Sequence, residues 1–121
     1  MDCFSIFASA QTTWDEFVAC FSKIINVEGV DDSDEFGKRH VWKALGFEFI
    51  GINNPDLDDD QGIPFSTFNF QIDLLASDVD NPKETSRFSD ALARFLVVRM
   101  RKVMNEEFRL VKNLQVSVPV E

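Results

Sequence analysis

The amino-acid sequence predicts an α+β fold, ferredoxin-like βαββαβ, with two helices on one face of a four-stranded antiparallel sheet. Three observations predict it. The chain opens on a doubly apolar run, Cys3 to Ala8. Two later segments carry apolar residues at helical spacing behind capping residues. Between them, Phe68, Phe70, Ile72 and Leu74 alternate with Thr67, Asn69, Gln71 and Asp73. A period of two with one greasy face describes a strand buried on one side and wet on the other.

Each element follows in order. The run Cys3 to Ala8 is apolar on both faces, as expected of a central strand. Thr13-Trp-Asp-Glu16 is a capping box, in which the threonine oxygen accepts from the third backbone N–H and Glu16 reaches back. Trp14, Phe17, Val18, Phe21, Ile24 and Ile25 then trace one stripe, and Gly29 is read as the stop. Asp31 to His40 reads as an exposed connection without an element of its own. Val41 to Ile52 reads as the second strand, with Leu45, Phe47 and Phe49 inward, and Thr67 to Leu74 as the third. Asn81-Pro-Lys-Glu84 opens the second helix with a cap, a proline at the first helical position and an acid on the dipole. Phe88, Ala91, Leu92, Phe95, Leu96, Arg99 and Val103 are assigned to its inward side, and Arg87, Arg94, Arg101 and Lys102 mostly to the other. Leu114, Val116 and Val118 close the sheet, and Pro119 marks an edge strand or its end because proline donates no ladder bond. No repeat or linker divides the 121 residues, so residues 1–121 read as one domain.

The charge restricts the function classes. A net charge of −9 repels phosphate, which disfavours direct binding of nucleic acid or an anionic membrane and favours basic partners. Cys3 and Cys20 form neither a disulfide framework nor a metal spacing, and are expected as buried free thiols. The start MDCFSIFASAQ mimics a cleavage site, but Asp2 replaces the basic region and the apolar run is short, so the chain is expected uncleaved and cytosolic.

One stretch, Asn53-Asn-Pro-Asp-Leu-Asp-Asp-Asp-Gln-Gly-Ile-Pro64, is longer than a hairpin turn requires. Three readings stay open. Asp56, Asp58 and Asp60 match the first ligand positions of a calcium loop, yet Gln61 and Thr67 stand where a glycine and a bidentate glutamate belong. A solvated acidic turn shaped by Pro55 and Gly62 is the second reading. The third is a recognition loop in which Asp56, Asp58, Asp59 and Asp60 aim at lysines and arginines of a protein partner. Asp31, Asp32, Asp34 and Glu35 form another acidic run, and Asp78 with Asp80 a third. On the expected topology those two lie at one end of the sheet and the aspartate loop at the other. Phe36 and Phe65 each flank an acidic run, and either suits an apolar anchor ringed by carboxylates or a loop folded back on the core.

Catalytic chemistry is thin. His40 is the sole histidine and sits beside Lys38 and Arg39. Asp58, Asp59 and Asp60 share one polar loop, with nothing to separate their pKa values for acid–base work. No phosphate-binding glycine loop or zinc spacing occurs. The arginines of the second helix are interleaved with Glu84, Asp90, Glu106 and Glu107, a mixed solvated face. The chain reads as non-enzymatic, without cofactor or metal.

The segments Leu45-Gly-Phe-Glu-Phe and Asp58-Asp-Asp-Gln-Gly-Ile-Pro-Phe-Ser-Thr-Phe-Asn-Phe-Gln-Ile-Asp73, the helix Ala91-Leu-Ala-Arg-Phe-Leu and the strand Leu110-Val-Lys-Asn-Leu-Gln115 resemble one family. This is the bacterial toxin-immunity proteins of contact-dependent growth inhibition and related polymorphic toxin systems. The resemblance spans about the last two thirds of the chain and carries no diagnostic motif. It implies a small cytosolic inhibitor that binds a cognate toxin domain, often a basic nuclease, and blocks its active site or substrate surface. No catalytic residue carries over. The choice of the acidic loops as the binding surface comes from their charge, because the surface used varies within the family. The rival expectation is a dimerising or small-ligand module that uses the open sheet face around Thr67, Asn69 and Gln71. A monomer fits the inhibitor better than the rival.

Overall fold

The structure, a computed structural model, describes residues 2–76 and 81–120. Its elements run β1 (Phe4–Ser9), α1 (Trp14–Ile25), β2 (Val30–Asp31), β3 (Arg39–Ala44), β4 (Phe47–Asn53), a 3-10 turn (Phe65–Thr67), β5 (Phe70–Ala76), α2 (Pro82–Met104), β6 (Glu107–Lys112) and β7 (Val116–Val118). The strands form one antiparallel sheet in the order β2-β3-β4-β5-β1-β6-β7. The fold is α+β, but the expected four-stranded ferredoxin-like sheet is overturned by these seven strands.

The three additional strands have local causes. The expected second strand is a hairpin: Ala44 pairs with Phe47 around Leu45 and Gly46, both at positive φ. Such a two-residue turn matches the twist of the flanking strands, and it ordinarily announces itself by Asn-Gly or Asp-Gly. Leucine at the first position concealed it. The Asn113–Leu114 turn, also at positive φ, joins β6 to β7, so Leu114 belongs to a turn and not to a strand. The expected connection Asp31 to His40 contains β2 and the start of β3, paired Val30 to Val41 and Asp31 to His40.

Both helices sit on one face. Thr13 caps α1 by accepting from the Glu16 N–H at 3.2 Å, while the Thr13 hydroxyl donates to the Glu16 carboxylate. Phe17 and Phe21 are buried beneath it, and Phe21 meets the fully buried Trp42 edge-on at 4.7 Å. The Trp42 Nε1–H donates to the Ser22 hydroxyl at 2.9 Å, so the buried indole leaves no unmet donor. Asn26, left-handed at φ 56°, ends α1 in place of Gly29. Gly29 serves a close approach instead: a Cβ there would come 2.5 Å from the His40 ring and 2.7 Å from Trp42.

Asn81 caps α2 as its sequence indicates, accepting from the Glu84 N–H at 3.2 Å. The buried side of α2 is rotated from the expected one, running through Ser89, Ala93, Leu96, Val97 and Met100. Small Ser89 and Ala93 admit the sheet closely, whereas the bulky Phe88, Phe95 and Val103 remain exposed. Size of the apolar side chain did not choose the contact face; fit did.

The second face of the sheet is not open throughout. Residues 54–69 fold across it as a strap, and Ile63, Phe65 and Phe68 form a second core with Phe7 of β1 and Val111 of β6. Phe68 therefore leaves the helix-side stripe to which its alternation assigned it. The double apolarity of β1 has its cause here: Phe4, Ile6 and Ala8 face the helices and Phe7 faces the strap.

Candidate partner-binding end of the sheet

The register places the acidic segments. Ser9 at the end of β1 pairs with Glu107, and Ala8 with Phe70. Phe70 pairs with Asn53, Ile52 with Arg39, and His40 with Asp31. Both ends of the strap and the β2–β3 tip thus leave the sheet at the Ser9 end. The Asn53 N–H donating to the Lys38 carbonyl at 3.0 Å ties the start of one to the base of the other. The sequence put these two runs at opposite ends. The inserted β2–β3 hairpin reverses that, because the chain crosses the sheet once more before β4. Asp78 and Asp80 lie outside the described residues.

Each acidic segment is held by its own turns. In the tip, the Asp31 carboxylate accepts from the backbone and hydroxyl of Ser33, and Asp34 accepts from the Phe36 N–H at 2.8 Å. Asp34 and Gly37 bridge to close the tip. In the strap, Asp60 and Ile63 bridge around Gln61 and Gly62, both at positive φ. Asp59 accepts from the N–H of Ser66, inside the 3-10 turn, at 2.8 Å. The ends of the strap are fastened by Asn69, whose amide donates to the Ala10 carbonyl at 2.7 Å and accepts from its N–H at 2.9 Å. Asn69, assigned by alternation to the wet sheet face, is a buckle.

Hydrogen bonds from the Ser66 hydroxyl and N–H hold the Asp59 carboxyl below its ordinary value, and those from Ser33 do the same for Asp31, with His40 and Lys38 assisting. Both groups are solvent-exposed, and donors to the ionised form are the cause. Asp32, Asp34, Glu35, Asp56, Asp58 and Asp60 are exposed as well. The ion pairs among the described residues are Arg94 with Asp90 at 2.9 Å and Lys112 with Asp2 at 3.4 Å. None of the eight carboxylates of the tip and strap takes part. Among the described residues no three His, Cys, Asp or Glu side chains converge as a cation site.

The two flanking phenylalanines separate. Phe36 is 90 % exposed at the tip, whereas Phe65 is 3 % exposed and meets Phe7 edge-on at 5.2 Å. Phe65 is thereby a roof residue and is withdrawn as an exposed anchor. His40 packs its ring 4.7 Å from Trp42 on the helix side of β3, the two planes tilted at 50°. Cys3 and Cys20 are free and half-buried, and burial pushes both thiols up.

Comparison with protein-family models, with curated proteins and with solved structures returns no match. What the site can do is therefore argued from its geometry. Eight exposed carboxylates stand on hydrogen-bonded turns, four on the β2–β3 tip and four on the strap, against Lys38 and Arg39 within the same two segments. Such an array attracts a cationic surface over a distance and offers it acceptors without reorganisation. The sole histidine, His40, packs against the Trp42 indole and shares a shallow depression with Asp31, Ser33 and Lys38. The rival sheet-face surface is partly roofed, since Thr67 lies in the strap's own 3-10 turn and Gln71 is buried. No helix of the described residues is long and apolar enough to cross a membrane.

Proposed function

We propose that this chain is a cytosolic, non-enzymatic immunity protein that neutralises a cognate basic protein toxin, a nuclease in the first instance. The observation that carries the reading is that the β2–β3 tip and both ends of the strap leave the sheet at its Ser9 end, with none of their eight carboxylates in an ion pair among the described residues. The acids steer the toxin's phosphate-binding lysines and arginines to this end, and the bulk of the sheet then excludes the nucleic-acid substrate. Phe36, exposed among Asp34 and Glu35, is the apolar anchor of the contact. Asp31, Asp32, Asp34 and Glu35 act with Asp56, Asp58, Asp59 and Asp60.

Co-expression tests the reading. The C-terminal domain of the polypeptide encoded beside this chain's gene is expressed alone and together with the chain. Growth arrest by the domain alone, relieved by the chain, is the expected result. A harmless neighbour, or arrest that the chain does not relieve, rules the proposal out.

A further inference from the structure

The part of the sheet face beyond the strap carries one carboxylate in an unusual setting. Register places Val30, Val41, Ile50, Asp73 and Ser5 in a single row across β2, β3, β4, β5 and β1. Cross-strand partners share a face. Trp42, Phe49, Ile72 and Ile6, next to them in sequence, all belong to the helix-side core, so the row lies on the opposite face, the strap's. Ser5 is 2 % exposed where the roof begins, beside Phe7 and Val111 of the second core. From Asp73 outward the row is open: Asp73, Ile50 and Val41 are half-buried, and Val30 is 69 % exposed. Ile52 and Leu75, one row to either side, widen the apolar floor.

The Ser5 hydroxyl donates to Asp73 Oδ1 at 2.6 Å, and the Gln71 amide donates to the same oxygen at 2.7 Å. Gln71 is 5 % exposed, so both donors are buried and have no water to turn to. Among the described residues Oδ2 accepts no hydrogen bond, and Asp73 enters no ion pair. The cations of this face stand on β3, two strands away, Lys43 opposite Glu48 and Arg39 opposite Ile52. Strands disfavour aspartate, and a carboxylate drawn partly out of water without a counter-charge weakens the fold. A neutral residue would serve the sheet better, so the charge has its use outside the chain.

We infer that this row takes one long cationic side chain of the protein partner, its methylenes on Val41 and Ile50 and its charge on Asp73 Oδ2. A lysine or arginine is apolar along its stem and charged at its head, the order in which the row presents Val41, Ile50 and then Asp73. The three strand spacings from Val30 to Asp73 amount to about 14 Å, room for an extended stem and the backbone that carries it. Charge selects the occupant. An apolar or anionic surface laid here would strip water from Asp73 and leave it unpaired, which is strongly unfavourable. Position agrees, because Val30 directly precedes Asp31 and the row therefore starts at the base of the acidic tip. The inference rests on the inhibitor reading for the identity of the partner: the tip steers a basic surface, and Asp73, a single fixed carboxylate, sets which surface fits.

The site is tested first on the chain alone. Hexylguanidinium, whose tail and head match the row, is titrated while NMR follows the methyls of Val41, Ile50 and Ile52. Saturable shifts are expected with a Kd of about 1–10 mM. Binding is expected to be at least about fivefold weaker in Asp73→Asn and absent for hexanoate. Asp73→Asn keeps an acceptor for Ser5 and Gln71 and removes only the charge, so its denaturation midpoint is expected at or above that of the wild type. No saturable shift, equal binding by the variant, or equal binding of hexanoate overturns the inference. So does a variant less stable than the wild type, which would make the carboxylate a support of the sheet. With a toxin domain established by co-expression, Asp73→Asn is expected to weaken the complex at least about tenfold. Equal affinity there overturns the inference and leaves the inhibitor reading standing. A harmless neighbour ends that reading instead, and the hexylguanidinium titration then decides the site.

Discussion

Two segments of this chain look alike as sequence and differ as matter. Each is an acidic run beside a phenylalanine: Asp31 to Phe36 and Asp56 to Phe65. In the strap, Phe65 is sealed against Phe7 and the carboxylates ride on a piece of chain that has its own hydrophobic reason to be where it is. In the β2–β3 tip, Phe36 touches solvent and the turn is held by polar contacts alone. The strap's charges are the outer surface of a roof. The tip's charges and its ring have no structural purpose beyond closing one turn, which makes the tip the purer candidate for partner contact.

The comparison breaks first at the two rings. Phe65→Ala opens the second core and is expected to cost about 3–5 kcal/mol of folding stability, measured by chemical denaturation. A loss below about 1 kcal/mol would mean the strap does not depend on its core.

Acid sharpens the comparison next. Carbon-13 titration of the side-chain carboxyls is expected to place the Asp59 and Asp31 midpoints below the ordinary aspartate value of 3.8. Their folded values lie below the unfolded ones, so the stability they add is full above the unfolded-state value and disappears as pH falls through the folded one. Both turns should loosen only under strong acid. A midpoint at or above the ordinary value would show that Ser66 or Ser33 does not hold its carboxylate.

The smallest effect on folding belongs to Phe36. Phe36→Ala is expected to change stability by no more than about 0.5 kcal/mol. The same substitution should weaken partner binding by about 1–2 kcal/mol. Equal binding by the variant would remove the ring from the interface.

The legible parts of the fold were those written in short-range chemistry. The caps at Thr13 and Asn81, the alternation through Phe70, Ile72 and Leu74, and the double apolarity of β1 all follow from side chains acting on neighbouring backbone or on one layer of core. The strand count was not legible, because Leu45-Gly46 and Asn113-Leu114 place leucine where a turn signal would carry asparagine or glycine, and periodicity ran straight through both. The buried side of α2 was misread for a related reason: small Ser89 and Ala93 define it, and a pattern search weights bulky residues. The Asn-Pro-Asp and Gln-Gly punctuation of the strap did announce a loop. Its return across the sheet depends on Ile63, Phe65 and Phe68 meeting Phe7 and Val111, contacts distant in sequence. Recognising two hairpins in place of one connection and one strand would also have brought the tip and the ends of the strap to the same end of the sheet.

The central claim is that the tip and the strap act together as one cation-seeking surface. Its most direct measurement is the association rate with the basic toxin domain that the proposal expects to be encoded beside this gene, followed across ionic strength. One variant carries asparagine at Asp56, Asp58, Asp59 and Asp60, and another carries asparagine at Asp31, Asp32 and Asp34 with glutamine at Glu35. The account predicts that each variant associates at least about tenfold more slowly at low salt and loses most of the wild type's salt dependence. Wild-type rates in both variants at every salt concentration would contradict it.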